Sequence, residues 1–158
     1  MTELTGAATD AETVTLPTVE ATLALGERLG REVRAGDVVV LTGPLGAGKT
    51  VLARGIARGM DVEGPIISPT FVLARVHRAR EPGRPSMVHV DVYRLREGGD
   101  LLAELDSLDI DTDLDEAVAV VEWGEGLAER LAQRHLDVTL QRVPDSDIRT
   151  ATWRWSRR

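Results

Sequence analysis

The stretch GPLGAGKT, Gly43 to Thr50, constrains this chain more than any other, because it works in only one structural setting. It satisfies G-x-x-x-x-G-K-[ST], in which glycines let backbone N–H groups turn inward on phosphate oxygens while the lysine reaches the outer phosphates. Such a cradle forms where a buried strand hands over to a helix whose positive end faces the anion. The flanks supply both. DVVVLTG (Asp37 to Gly43) is a continuous apolar run of the kind a parallel sheet covers on both faces, and Thr50 to Met60 reads as a helix.

Strand, glycine loop and helix in that order predict a P-loop NTPase-type α/β fold, a mononucleotide-binding domain with a mainly parallel sheet, helices on both faces and antiparallel hairpin additions. The rest of the chain fits one domain over residues 1–158, with 1–11 as a flexible lead-in. ETVTL (Glu12 to Leu16) alternates like a half-buried strand, and Thr18 caps a helix in which Val19, Leu23, Gly26, Leu29 and Val33 recur until Ala35-Gly36. Phe71 to Arg94 reads as a long hairpin turning at EPGRPS, and Asp100 to Leu108 as a helical stretch. AVAVV (Ala117 to Val121) is a second fully buried strand, GEGLAERLAQR a short helix, and the tail two strands across PDSD.

Composition narrows the chemistry. Of the 19 basic residues only Lys49 is a lysine, so the one compact ammonium stands where a phosphate cradle requires it. Its side chain is expected at the surface, contributing little to the core. The same fact excludes the [NT]-K-x-D signature of guanine recognition and tilts the nucleotide toward ATP. A net charge of -7 argues against a broad nucleic-acid-coating surface. With 0 cysteines there is no disulfide partner and no thiolate metal site, and His77, His89 and His135 show no ligand spacing, so each reads as structural or solvated. No apolar run approaches membrane-spanning length, and MTELTGAATDAE lacks the basic flank and apolar core of a signal peptide, so a cytoplasmic protein without membrane attachment is expected.

A cradle of this type takes Mg2+ on the hydroxyl that follows its lysine, here Thr50, and needs a carboxylate at the end of a neighbouring strand. Glu122 ends AVAVV and Asp91 ends MVHV, so both qualify. Trp123 and Glu125 lie beside Glu122, the tryptophan able to stack on a nucleotide or to close the core edge. Within the acidic run Glu104 to Glu116, Asp109, Asp111 and Asp113 imitate the first half of a calcium loop, but Leu114 and Val120 stand where glycine and glutamate are required. The run reads as a solvated or partner-facing acidic surface. Arg75, Arg78, Arg80 and Arg84 cluster at the hairpin turn, as a solvated tip or, in a small-molecule kinase, as a lid over phosphates.

GPLGAGKT, SPTF (Ser68 to Phe71), HVDVYRL (His89 to Leu95) and VEWGE (Val121 to Glu125), in this order and at these intervals, resemble the bacterial TsaE family. These are small P-loop ATPases of tRNA threonylcarbamoyladenosine biosynthesis. The resemblance runs from Leu16 to about Leu131. It implies an ATPase that binds ATP or ADP with Mg2+ and acts with the TsaD and TsaB proteins, tRNA being met through the complex. It further implies a nucleotide site of Thr22, Gly46, Ala47, Gly48, Lys49, Thr50, Val51, Trp123 and Glu125. Magnesium is assigned to Thr50 and Glu122, catalysis to Asp91 and Glu122, and switch behaviour to the SPTF loop. Pro44 and Gly124 depart from the family pattern, and Pro44, which has no N–H, bears on the rim of the cradle. The alternatives carried beside this reading are a small-molecule P-loop kinase with an arginine-rich lid and an adaptor that binds nucleotide without useful hydrolysis.

Overall fold

The computed structural model describes residues 10–44, 46–66, 74–91, 116–122 and 134–157. The SPTF loop, the Asp100 to Leu108 stretch, most of the acidic run, Trp123, Glu125 and the GEGLAERLAQR segment lie outside the described residues.

β1 (Glu12–Leu16) leads into α1 (Val19–Glu32), where Thr18 Oγ1 accepts a hydrogen bond from the Ala21 N–H at 3.1 Å and so caps the helix as its sequence predicts. β2 (Val38–Thr42) feeds the glycine loop and α2 (Lys49–Met60). β3 (Ala74–His77) and β4 (Ser86–Asp91) form an antiparallel hairpin within the segment expected to do so. β5 (Ala117–Glu122) follows, and β6 (Arg134–Arg142) pairs with β7 (Arg149–Arg157) across the tail turn.

These strands make one seven-stranded sheet in the order β1-β7-β6-β2-β5-β4-β3. β2 is central and runs parallel to both β5 and β6, while β4 is parallel to β5; the two edges are closed by antiparallel pairs. The C-terminal ends of β2, β4 and β5 therefore open on one edge, where ligands bind in sheets of this kind. Leu41 and Asp91 both stand opposite Glu122 in the register.

Side-chain alternation explains why the two central apolar runs show no polar face. Val39 and Leu41 of β2, Val118 and Val120 of β5, and Leu136, Val138 and Leu140 of β6 join Leu25, Leu29, Leu52 and Ile56 of the helices in the core. The alternate residues, Val38, Val40, Ala119 and Val121 among them, point to the opposite face and are buried as well. Both described helices lie on the first face.

α1 and α2 meet along glycines. A Cβ on Gly26 would stand 2.7 Å from the Cα of Gly55, and one on Gly30 would stand 3.0 Å from the Cα of Gly59. The two G-x-x-x-G repeats face each other and let the helix backbones touch. Helical periodicity places Gly26 on the buried stripe but does not disclose this seam, because each repeat reads alone as ordinary sequence.

Candidate functional site

The phosphate loop leaves β2 at Gly43 and enters α2 through Gly48, whose φ of 102° lies in the left-handed region. A β-carbon there would be strained, which is why the position is glycine. Gly46 shares a positive φ of 80°, and a Cβ built on it would meet nothing within 4 Å among the described residues. The Ala47 N–H donates to the Pro44 carbonyl at 3.1 Å, and Ala47 itself is buried. Pro44 thus contributes an acceptor to the loop even though it lacks a donor.

Lys49 begins α2, with Thr50 and Val51 next on its first turn. Contrary to the expected surface position, Lys49 is buried at 6% exposure. Its Nζ donates to the Gly43 carbonyl and, at 3.2 Å, to the Pro44 carbonyl. The ammonium is therefore held inside the curve of the loop by the backbone it would share with phosphates. Thr22 of α1 is also buried, and its Cγ2 lies 4.0 Å from where a Cβ on Gly48 would stand. The first-helix threonine does adjoin the phosphate loop. Arg149, at the start of β7, donates through Nη2 to the Gly46 carbonyl at 3.0 Å, a contact the sequence does not announce.

On the neighbouring strand, Glu122 closes β5 at 5% exposure, on the helix-bearing face with Val118 and Val120. Its Oε2 accepts a hydrogen bond from His89 Nε2 at 2.8 Å. A carboxylate only accepts, so Nε2 carries the hydrogen. Asp91 ends β4 directly opposite Glu122, which places both acids at one edge; the Asp91 side chain is outside the described set. Trp123 and Glu125 continue from β5 outside the described residues. The structure thus brings together Thr22, Gly46, Ala47, Gly48, Lys49, Thr50, Val51 and Glu122, with the backbone of Asp91.

His89 is the residue that sequence reading missed. Its signal was its position two residues before Asp91 in an alternating strand, which puts both on one face and beside Glu122. Hard oxygen donors at the mouth of a lysine-bearing loop fit magnesium. Among the described residues no group of three His, Asp or Glu side chains forms a metal site of its own, so a metal here would share its shell with phosphate and water.

The arginine-rich hairpin tip lies elsewhere. The Arg80 N–H donates to the Asp61 carbonyl at 3.1 Å, its Nε pairs with Asp61 Oδ1 at 3.5 Å, and Glu63 N–H donates to the Arg78 carbonyl at 2.8 Å. Asp61 caps the C-terminal end of α2. At ~1.5 Å per residue the helix separates that cap from Lys49 by roughly 18 Å. A cavity of about 550 Å³ lined by Arg54, Arg58, Asp61 and Arg80 occupies this far end.

The family model described as threonylcarbamoyl adenosine biosynthesis protein TsaE matches residues 16–150. The chain belongs to the TsaE family. It is 74% identical over 147 residues to the tRNA threonylcarbamoyladenosine biosynthesis protein TsaE of Mycobacterium bovis, covering 92% of this chain and 88% of that one. It is 51% identical to the protein of that name from Streptomyces coelicolor, covering 75% of this chain and 78% of the other. A crystal structure of YdiB from Bacillus subtilis superimposes with a TM-score of 0.68 at 27% identity, covering 92% of this chain and 85% of that one. These likenesses bear out the resemblance read from the four motifs and support the P-loop NTPase-type fold. Among the described residues no helix is long and apolar enough to cross a membrane.

Proposed function

We propose that this TsaE protein is a magnesium-dependent ATPase of tRNA threonylcarbamoyladenosine biosynthesis, acting with TsaD and TsaB by nucleotide-dependent switching. The observation that carries this reading is the placement of Glu122 opposite Leu41, one strand over from the point where β2 turns into the lysine-bearing loop. A phosphate cradle and a buried carboxylate on adjacent strand ends are the two halves of a phosphoryl-transfer site.

The inward N–H groups of the loop hold the β- and γ-phosphates, and Lys49 exchanges its carbonyl partners for phosphate oxygens. The Thr50 hydroxyl and the Glu122 carboxylate are the groups that would hold the metal. Magnesium, when bound, neutralises charge on the phosphates and orients them. Asp91, at the end of β4, orients the attacking water; its oxygen bonds to the γ-phosphorus as the bond from that phosphorus to the bridging oxygen breaks, the electron pair leaves on ADP, and the water's proton passes to phosphate or solvent. Trp123 and Glu125 complete the nucleotide site, and tRNA is met through the complex.

The hairpin argues against the kinase alternative. At its tip Arg80 pairs with Asp61 at the C-terminal end of α2, so the tip is held away from the phosphates at the other end. Following labelled ATP decides between the two: label is expected to leave as free phosphate, faster when TsaD and TsaB are present. Label appearing on a small acceptor, or turnover unaffected by Lys49→Ala, would overturn the assignment.

A further inference from the structure

His89 is fully buried, 0% exposed, in the middle of β4, and its ring reaches across to the next strand to bond a carboxylate that is itself 5% exposed. Its Nδ1 is buried and has no hydrogen-bond partner among the described residues. A hydrogen on that nitrogen would have nothing to donate to, so the tautomer that fits carries its only N–H on Nε2, aimed at Glu122 Oε2. On this face Met87, Val118 and Val120 are apolar, while Arg75 of β3 stands directly opposite His89 in the register.

Burying a half-satisfied imidazole against a carboxylate is a poor way to fill a core. Apolar residues of similar volume commonly do as well or better than a buried polar or charged pair. The pair does supply direction. A glutamate side chain has three free torsions, and tethering one oxygen from the adjacent strand fixes where the other points. We propose that His89 is a positioning residue for Glu122: it holds Oε2 so that Oε1 is presented to the water shell of the magnesium bound with nucleotide. This rests on the reading of Glu122 as the metal-associated carboxylate, and it gives β4 two contributions to one edge, His89 behind Glu122 and Asp91 opposite it.

The test is a magnesium titration of fluorescent ADP binding to the parent protein, His89→Leu and His89→Gln, with affinity in EDTA as the metal-free reference. Gln can place an N–H where Nε2 stands; Leu cannot. Residues that orient a metal's ligands typically contribute 10–100-fold to metal affinity. His89→Leu is expected to raise the magnesium midpoint at least tenfold while metal-free nucleotide affinity stays within about twofold, and His89→Gln to recover most of the loss. A parental midpoint in His89→Leu, equal losses with and without metal, or no recovery in His89→Gln would overturn the proposal. If the parent itself shows no magnesium dependence, the reading of Glu122 fails first and this inference with it. Should the variants fail to fold, imidazole nitrogen chemical shifts of the parent decide: a hydrogen on Nε2 and a bare Nδ1 are expected, and the opposite tautomer would refute the donor role.

Discussion

Lys49 donates to the carbonyls of Gly43 and Pro44 from within the loop it serves, which ties loop shape and phosphate affinity to one side chain. Lys49→Ala is expected to abolish nucleotide binding measured by calorimetry. Because the side chain is buried, it should also lower unfolding free energy by about 1 kcal/mol, the usual net worth of a hydrogen bond. An unchanged nucleotide affinity in a folded variant would refute the cradle. The motif made the chemistry of this residue legible but not its burial, since exposure depends on how tightly the loop closes. The histidines show the same gap: all three are buried, and which atoms they meet depends on strand pairing. His77 donates through Nδ1 to the Glu63 carbonyl at 2.9 Å, yet burial holds its pKa below the ordinary value, against the opposing effect of that bond. Protons then bind the unfolded chain more tightly, so its contribution to stability is complete above the unfolded value of about 6.5 and is lost as pH falls from there toward the folded value. His77→Asn, which keeps a donor for Glu63, is expected to flatten the fall in denaturation midpoint between about pH 7 and pH 5. Parallel profiles for parent and variant would show that His77 is not responsible.

At the level of elements, the glycine seam is where sequence and structure diverge most. Helix propensity alone says that Gly59→Ala in α2 should stabilise by about 1 kcal/mol. A Cβ at that position, however, would stand 2.2 Å from the Glu27 carbonyl oxygen and 2.9 Å from the Gly30 Cα, both backbone atoms that cannot move independently of α1. Overpacking of this kind costs about 1–3 kcal/mol, enough to outweigh the propensity gain. Gly59→Ala is therefore expected to lower the urea midpoint, whereas Arg58→Ala on the exposed side of the same turn should leave it nearly unchanged. A stabilised Gly59→Ala would mean that the helices can separate at little cost. The strands and helices themselves were legible, because apolar runs, a threonine cap and turn residues fix them locally. The facing of the two glycine repeats was not, because it is a property of the pair.

For the whole molecule, sheet order sets Glu122 and the backbone of Asp91 beside the strand that feeds the phosphate loop; the expectation of one shared site comes from family likeness, since composition alone cannot supply it. α2 then joins two regions. Its first turn carries Lys49 and Thr50, and further along Arg54 Nε donates to the Ile66 carbonyl at 3.0 Å, pinning the chain just before it enters Ser68-Pro69-Thr70. The switching proposed above requires the hydroxyls beyond this anchor to respond to the γ-phosphate. If they do so, affinity for the partner complex must differ between the ATP and ADP forms, since a ligand that prefers neither shape shifts nothing. A tenfold difference corresponds to about 1.4 kcal/mol, within the reach of one or two hydrogen bonds. Thr70→Ala is therefore expected to keep nucleotide affinity within a few fold while removing the nucleotide dependence of partner binding. Arg54→Ala, which frees the base of the loop and leaves its hydroxyls in place, should weaken that dependence by a smaller factor. Calorimetric titration of the TsaD–TsaB pair into parent and variants loaded with ADP or a non-hydrolysable ATP analogue measures both. Equal partner affinities for the two forms of the parent would sink the switch, and a Thr70→Ala protein that still distinguishes them would move the switch to another segment.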